Sequence, residues 1–350
     1  MATTFAAAGP TNGYIPQATG QCIAFVKNPE EFHINKWVQL TPAPQPTGLY
    51  SRLDRDNGVR TKNIDQFVWA DGADLPSGQY FTSRFTVNEF RTQRHAVPWE
   101  LGAQTVDNAD LWNPKLVHMK EAVSLLMTLR TKRIYTKAES GGNWSGNTAS
   151  ATSLGGGKWD VGTSTAPYFA KGLLTAAQKV NLGTNSKVKI NQLRAVFSPP
   201  DAIRIGNSPE IRDYLKGSVH ARMMLEDPFN SVNAMWGLPH FYQGVELIVD
   251  DTPFVTEEMN DSGSEATTNR TYAKADGTVI IVARPGSLES ELSTQSYSTI
   301  QIFYYKKVGL MQVKGEYDSW NEKWRGAVVD QTGEYITAPM SGYYVTAATA

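Results

Sequence analysis

The stretch NPKLVHMKEAVSLLMTLRTKRIYTK, residues 113–137, is the strongest structural signal in the chain. Asn113 can accept a hydrogen bond from the first turn of a helix, and Pro114 at the first helical position loses nothing, because its missing N–H would have been an orphan donor anyway. Leu116, Met119, Val123 and Leu126 recur at helical spacing, and Ala122, Leu125 and Leu129 widen the apolar stripe. No glycine interrupts until Gly141. At 1.5 Å per residue the predicted helix is roughly 37 Å long, against a usual length of about three turns. Arg130, Lys132, Arg133 and Lys137 fall in its last turns, where cations complement the negative end of the helix dipole. That reading is preferred to nucleic-acid contact.

Upstream, residues 59–97 hold two β-like runs around a turn-rich middle. The second run alternates, with Phe81, Phe85 and Val87 on one face and Thr82, Arg84, Thr86 and Asn88 on the other. Asp71-Gly72 and Pro76-Ser77-Gly78 supply the turn chemistry of a long hairpin. The first run (Ile64, Phe67, Val68, Trp69) alternates poorly, which leaves the register open. Residues 1–50 carry few charges, many Pro, Gly and Thr, and no sustained period. They read as an arm too poor in apolar surface to order itself, whose Phe5, Tyr14, Ile15, Phe25, Phe32 and Trp37 need a surface to cover, or as a flexible leader.

Downstream, residues 140–157 are almost wholly Gly, Ser, Thr, Asn and Ala, the composition of a linker or flap. A helix over 165–180, a strand over 193–197 and helical turns over 199–216, with Ser208-Pro209-Glu210 as a start signal, come next. Strands are predicted at 245–249, 279–283, 300–305, 310–313, 335–337 and 343–346. Helices and strands are segregated, which indicates an α+β fold rather than a doubly wound α/β sheet.

With 33 Lys and Arg against 34 Asp and Glu in 350 residues, the net charge of −1 excludes a histone-like coat for nucleic acid. A single cysteine, Cys22, excludes a disulfide scaffold and suits a reducing cytoplasm. The opening residues lack the basic-then-apolar pattern of an export signal, and no apolar run approaches a membrane span, so no membrane association is expected.

Catalytic motifs fail one by one. Gly155-Gly156-Gly157-Lys158 is followed by Trp159, not the Ser or Thr of a phosphate loop. The five histidines show no metal-binding spacing, and His118 with Glu121 reads as a solvated pair. Asp54-Arg55-Asp56-Asn57-Gly58 lacks the closing Glu of a calcium loop and reads as an Asn-Gly turn. Acidic pairs at Asp250-Asp251 and Glu257-Glu258, with nine Trp and fifteen Tyr, leave a glycosidase or carbohydrate-binding protein as a remote alternative. No catalytic residue, metal or cofactor is expected.

The order of elements resembles the major capsid proteins of tailed phages, the Hong Kong 97-type fold family. The likeness rests on residues 81–101 running into the long helix and on Lys158-Trp159-Asp160 before the 166–180 helix. It continues through Arg194-Ala195-Val196-Phe197-Ser198-Pro199, Asn207-Ser208-Pro209-Glu210-Ile211 and Leu215. The resemblance implies an N-terminal arm (1–50) and an extended loop (51–110) laid over an adjacent subunit. It implies a peripheral domain (111–160 and 300–335) with its spine helix at 113–137, and an axial domain (161–299 and 336–350).

The implied function is structural and non-enzymatic: hexamers and pentamers of an icosahedral shell enclosing double-stranded DNA, in the virion, made in the host cytoplasm. Contacts between subunits are expected at the loop tip, at Trp69, Asp71, Gly72, Asp74 and Pro76. Implied partners are identical subunits, separate scaffolding, portal and decoration proteins, and packaged DNA held without sequence specificity. The first fifty residues lack the long helical scaffold segment of some members, which points to a separate scaffold or none, and the covalent Lys-to-Asn crosslink of the family is not assigned. An encapsulin-like nanocompartment shell is the alternative within the same fold.

Overall fold

A computed structural model describes residues 29–52, 71, 86–107, 113–217, 235–255, 270–286 and 298–349. Along the chain, a 3-10 turn (Pro29–Glu31) and α1 (Ile34–Trp37) precede β1 (Gln39–Ala43) and β2 (Thr47–Arg52). Then come β3 (Thr86–Arg91), β4 (Gln93–Gly102), α2 (Ala103–Asp107) and the long α3 (Pro114–Ala138). The middle holds β5 (Thr148–Ser150), α4 (Ala151–Gly155), α5 (Tyr168–Gly183), β6 (Leu193–Phe197), α6 (Pro199–Gly206) and α7 (Pro209–Gly217). Next are β7 (Phe241–Tyr242), β8 (Val245–Val249), β9 (Pro253–Val255), β10 (Arg270–Tyr272) and β11 (Val279–Ala283). Last are β12 (Ile300–Tyr305), β13 (Gln312–Asp318), β14 (Lys323–Ile336) and β15 (Gly342–Thr346).

Two sheets organise these elements into the α+β arrangement that the sequence predicts. The first has six strands in the order β5-β15-β11-β6-β8-β7. Both its faces are covered, which explains why β11 reads Val-Ile-Ile-Val-Ala without a polar break. Successive side chains alternate between two cores: Leu193, Ala195, Phe197 and Ile281 pack with Phe169, Leu173 and Val180 of α5, while Val196, Ile280 and Val282 face Trp37, Tyr135 and Trp144.

The second sheet runs β1-β12-β14-β13, with β4 on the other edge of β14. β14 is 14 residues long. It pairs with β12 through residues 332–336 and with β13 through 323–329, and the chain between Tyr305 and Gln312 loops out opposite Asp330 and Gln331. Sequence patterning predicts only 310–313 and 335–337 here. The strand Lys-Trp-Arg-Gly-Ala-Val-Val-Asp-Gln-Thr-Gly-Glu-Tyr-Ile has little intrinsic β preference in its charged and glycine positions, and neighbours on both edges hold it extended.

Helix α3 forms as predicted, with Asn113 Oδ1 accepting from the Leu116 amide at 3.1 Å. Its buried face is rotated from the expected stripe. Ala122, Leu126, Met127, Ile134 and Tyr135 are buried, whereas Leu116, Leu125 and Leu129 are exposed. The cause lies at the sheet: Arg130 is drawn inward to Asp330, with Nε at 3.0 Å and an Nη at 2.5 Å from Oδ2, and Arg133 binds Glu334 at 3.0 and 3.1 Å. Lys132 Nζ donates to the Ala273 carbonyl at 3.0 Å, and Lys137 lies over the Tyr335 ring. These cations tie the helix to its neighbours more than they serve its dipole.

Two further expectations are corrected. Residues 29–50 are not an arm short of burial: Phe32, Ile34 and Trp37 lie in the core, Trp37 against Tyr135 at 5.4 Å, and β1 pairs in parallel with β12. Sparse apolar residues suffice because each fills a hole in a surface built by later segments. Residues 140–157 are not a linker or flap either. They form a 3-10 turn, β5 and α4, with Trp144, Ala151 and Leu154 buried.

The glycines there serve close approach rather than mobility. A Cβ on Gly155 would stand 2.4 Å from the Tyr168 carbonyl oxygen at the start of α5, and one on Gly172 would strike the Trp159 indole at 2.4 Å. Gly155→Ala is therefore expected to destabilise the fold by about 1–3 kcal/mol through backbone overpacking, measurable as a lower midpoint in urea unfolding. An unchanged midpoint would show that the α4–α5 contact yields freely.

Candidate assembly surfaces

β2 and β3 pair antiparallel from Thr47↔Arg91 to Arg52↔Thr86, forming the base of an excursion through residues 53–85. The expected first run, and Phe81 and Phe85, fall outside the described residues. Val87 does not face inward as predicted, because Phe90 occupies that role. Its ring stacks on Phe303 at 4.5 Å, with Tyr50 against Phe303 and Tyr335. By the period of two, Leu49 and Val87 then point to the opposite face, where they are 68% and 58% exposed.

The root of this ribbon is fixed on two sides. Arg52 donates to the Asn143 carbonyl at 3.0 Å and to Ser145 Oγ at 3.2 Å. The Tyr335 hydroxyl accepts from the Arg91 amide at 2.8 Å and donates to the Arg91 carbonyl at 3.1 Å. Between the ribbon and β1–β12 lies an open crevice of about 360 Å³, walled by Pro42, Pro44, Tyr50, Phe90 and Phe303.

A second projecting feature is the turn joining β13 to β14. Asp318 Oδ1 accepts from the amides of Trp320 (3.1 Å) and Asn321 (3.4 Å), and Oδ2 accepts from Asn321 Nδ2 at 2.8 Å. This Asx turn holds Trp320 94% exposed. Glu100 of β4 meets Lys323 at 2.5 Å, and Arg325 reaches Asp318 at 3.2 Å, so the turn rests on alternating charges.

The hydrogen bond from Asn321 holds the Asp318 carboxyl below its usual range, and that from Lys323 does the same for Glu100. A depressed carboxylate keeps its contribution above the ordinary carboxylate range and loses it as pH falls through the lowered value. Hydrogen-exchange protection of the Trp320 and Asn321 amides should accordingly stay level from neutrality to about pH 4 and collapse only below it. Loss of protection nearer pH 6 would mean that Asp318 does not hold the turn.

Chemistry is sparse elsewhere. Among the described residues no group of three or more His, Cys, Asp and Glu side chains could hold a metal ion. No helix among them is long and apolar enough to cross a membrane. His118 and Glu121 are a half-exposed pair at 3.3 Å. Asp250 is buried, accepting from Tyr135 Oη at 2.5 Å and from the Thr252 amide and hydroxyl, so it serves packing. Glu210, read as a first-turn residue, is buried and accepts from the Phe169 and Ala170 amides at the start of α5.

Of the expected contact residues, Asp71 is an exposed turn residue, and Trp69, Gly72, Asp74 and Pro76 lie outside the described residues. Sequence reading passed over Leu49 and Trp320. For Trp320 a signal exists in Asp318-Ser319-Trp320-Asn321, a turn-forming frame around a large aromatic residue.

No known family profile matches the chain, and no curated protein matches it in sequence. Solved structures do match. A phage-related protein from Bordetella bronchiseptica RB50 is similar with a TM-score of 0.56 and 13% identity, over 92% of this chain and 94% of that one. The capsid of Ralstonia phage GP4 matches at 0.52 and 10%, over 100% and 99%. The mature capsid of bacteriophage PhiM1 matches at 0.50 and 9%, over 93% and 89%. The chain thus has the Hong Kong 97-type capsid fold, as the order of its elements suggested.

Proposed function

We propose that this chain is a major capsid protein, a non-enzymatic subunit that assembles with copies of itself into a closed phage shell. The observation that carries the reading is the fold shared with phage capsids over nearly the whole chain, together with a rigidly rooted ribbon that turns Leu49 and Val87 to solvent. Apolar side chains held outward on fixed supports mark surfaces for partners. Hexamers and pentamers would arise from repeated head-to-tail contacts around an axis, with DNA inside.

In this reading the six-stranded sheet belongs to the axial domain, and α3 with the second sheet to the peripheral domain. The placement of β15 beside β11 and of β12 beside β14 supports that division. Scaffolding, portal and decoration proteins are further proposed partners.

Electron microscopy of the expressed protein tests the function: closed shells are expected, and a chain that stays monomeric at every concentration and salt would overturn it. Shells filled with protein cargo and free of nucleic acid would instead favour a nanocompartment. Deleting residues 71–77 should leave folded subunits, by circular dichroism, that no longer close shells; normal particles would remove the loop tip from the assembly machinery.

A further inference from the structure

The crevice beside the ribbon and the Trp320 turn have complementary properties. The crevice, at about 360 Å³, falls within the range of clefts that take small molecules, so an indole fits it. Its walls are ring faces and prolines. Its lining also includes Thr41, which is buried and whose hydroxyl has no hydrogen-bond partner among the described residues. A buried hydroxyl without a partner is costly, so the site lacks a donor. Trp320 offers both missing parts: a large flat apolar ring, and an indole N–H that can donate and cannot accept.

The two cannot meet within one molecule. Phe303 pairs with Gly333, and Trp320 precedes the far end of the same strand, about 40 Å away at the rise of an extended chain. We propose that the crevice receives Trp320 of a second copy, with the indole between the Pro42, Pro44, Tyr50 and Phe303 surfaces and its N–H donated to Thr41 Oγ1. Such a contact joins different patches of two identical subunits, the type that generates rings and extended lattices. It rests on the shell reading above and specifies one of its joints. The Asx turn makes the ring a rigid anchor, so little freedom is lost on docking.

The test uses full-length protein carrying Cys22→Ser, so that introduced cysteines are the only thiols. Subunits with Trp320→Cys are mixed with subunits carrying Pro44→Cys and oxidised under assembly conditions. The expected product is the mixed disulfide dimer; a Trp320→Cys dimer formed with itself instead would show that the turns meet each other, and overturn the proposal. Trp320→Ala should raise the subunit concentration needed for shells by about tenfold or more while leaving the unfolding midpoint unchanged, as expected for a hot-spot aromatic.

Thr41→Val separates docking from folding. It removes an unpartnered hydroxyl, so the monomer should be as stable as before or more so, while assembly weakens. Shells forming equally well from wild type and Trp320→Ala would overturn this joint and leave the shell reading intact. A wild-type chain that never assembles would overturn both.

Discussion

Arg130→Ala is expected to cost about 3–5 kcal/mol of folding stability, the largest single effect in the described part of the chain. Arg130 is 2% exposed and Asp330 is fully buried, and both guanidinium bonds go to one carboxylate oxygen, Oδ2. Removing the cation strands a buried anion whose other oxygen, Oδ1, has no partner among the described residues. The contact also sits where the edge of β14 changes partner from β13 to β12, so its loss frees the helix from the sheet at the bulge.

Urea unfolding measures the effect. The double variant Arg130→Met with Asp330→Leu should recover most of the loss, because an apolar pair of similar volume carries no unpaired charge. A single variant within about 0.5 kcal/mol of wild type would mean that water reaches the site and that the pair is not a structural lock.

Val123→Pro is expected to cost about 3 kcal/mol or more by breaking α3 near its middle. The proline ring clashes with the Met119 carbonyl and removes the hydrogen bond to it. Beyond that point lie Leu126, Met127, Arg130, Ile134 and Tyr135, all buried. Val123 itself only flanks the cluster of Trp99, Leu126 and Val328, so Val123→Ala should cost about 1 kcal/mol and serves as the control for lost side-chain packing. A proline variant that keeps the wild-type thermal midpoint and still assembles would show that α3 is not the element on which the two sheets are aligned.

Local chemistry made much of this architecture legible in advance. The Asn113-Pro114 start, the 25-residue run without glycine, and the uninterrupted β6, β8 and β11 strands each follow from capping, helix propensity and two-sided burial. So did the likeness of the element order to phage capsids. The candidate surfaces were less legible: Asp71 stands in an exposed turn as expected, but nothing local distinguishes Leu49 or Trp320 from the many other apolar residues of the chain.

The sequence by itself determined which segments are helix and which are buried strand, because those choices depend on residues within a few positions of one another. Tertiary structure alone decided the face of α3 that turns inward, since that depends on Arg130 finding Asp330 200 residues later. It decided that Phe32, Ile34 and Trp37 belong to the core, and that Gly155 and Gly172 permit tight packing rather than motion, because the surfaces they meet come from distant parts of the chain. It also decided that Phe90 turns inward and Val87 outward on β3, because a strand shows only its alternation and the stacked ring of Phe303 selects the side.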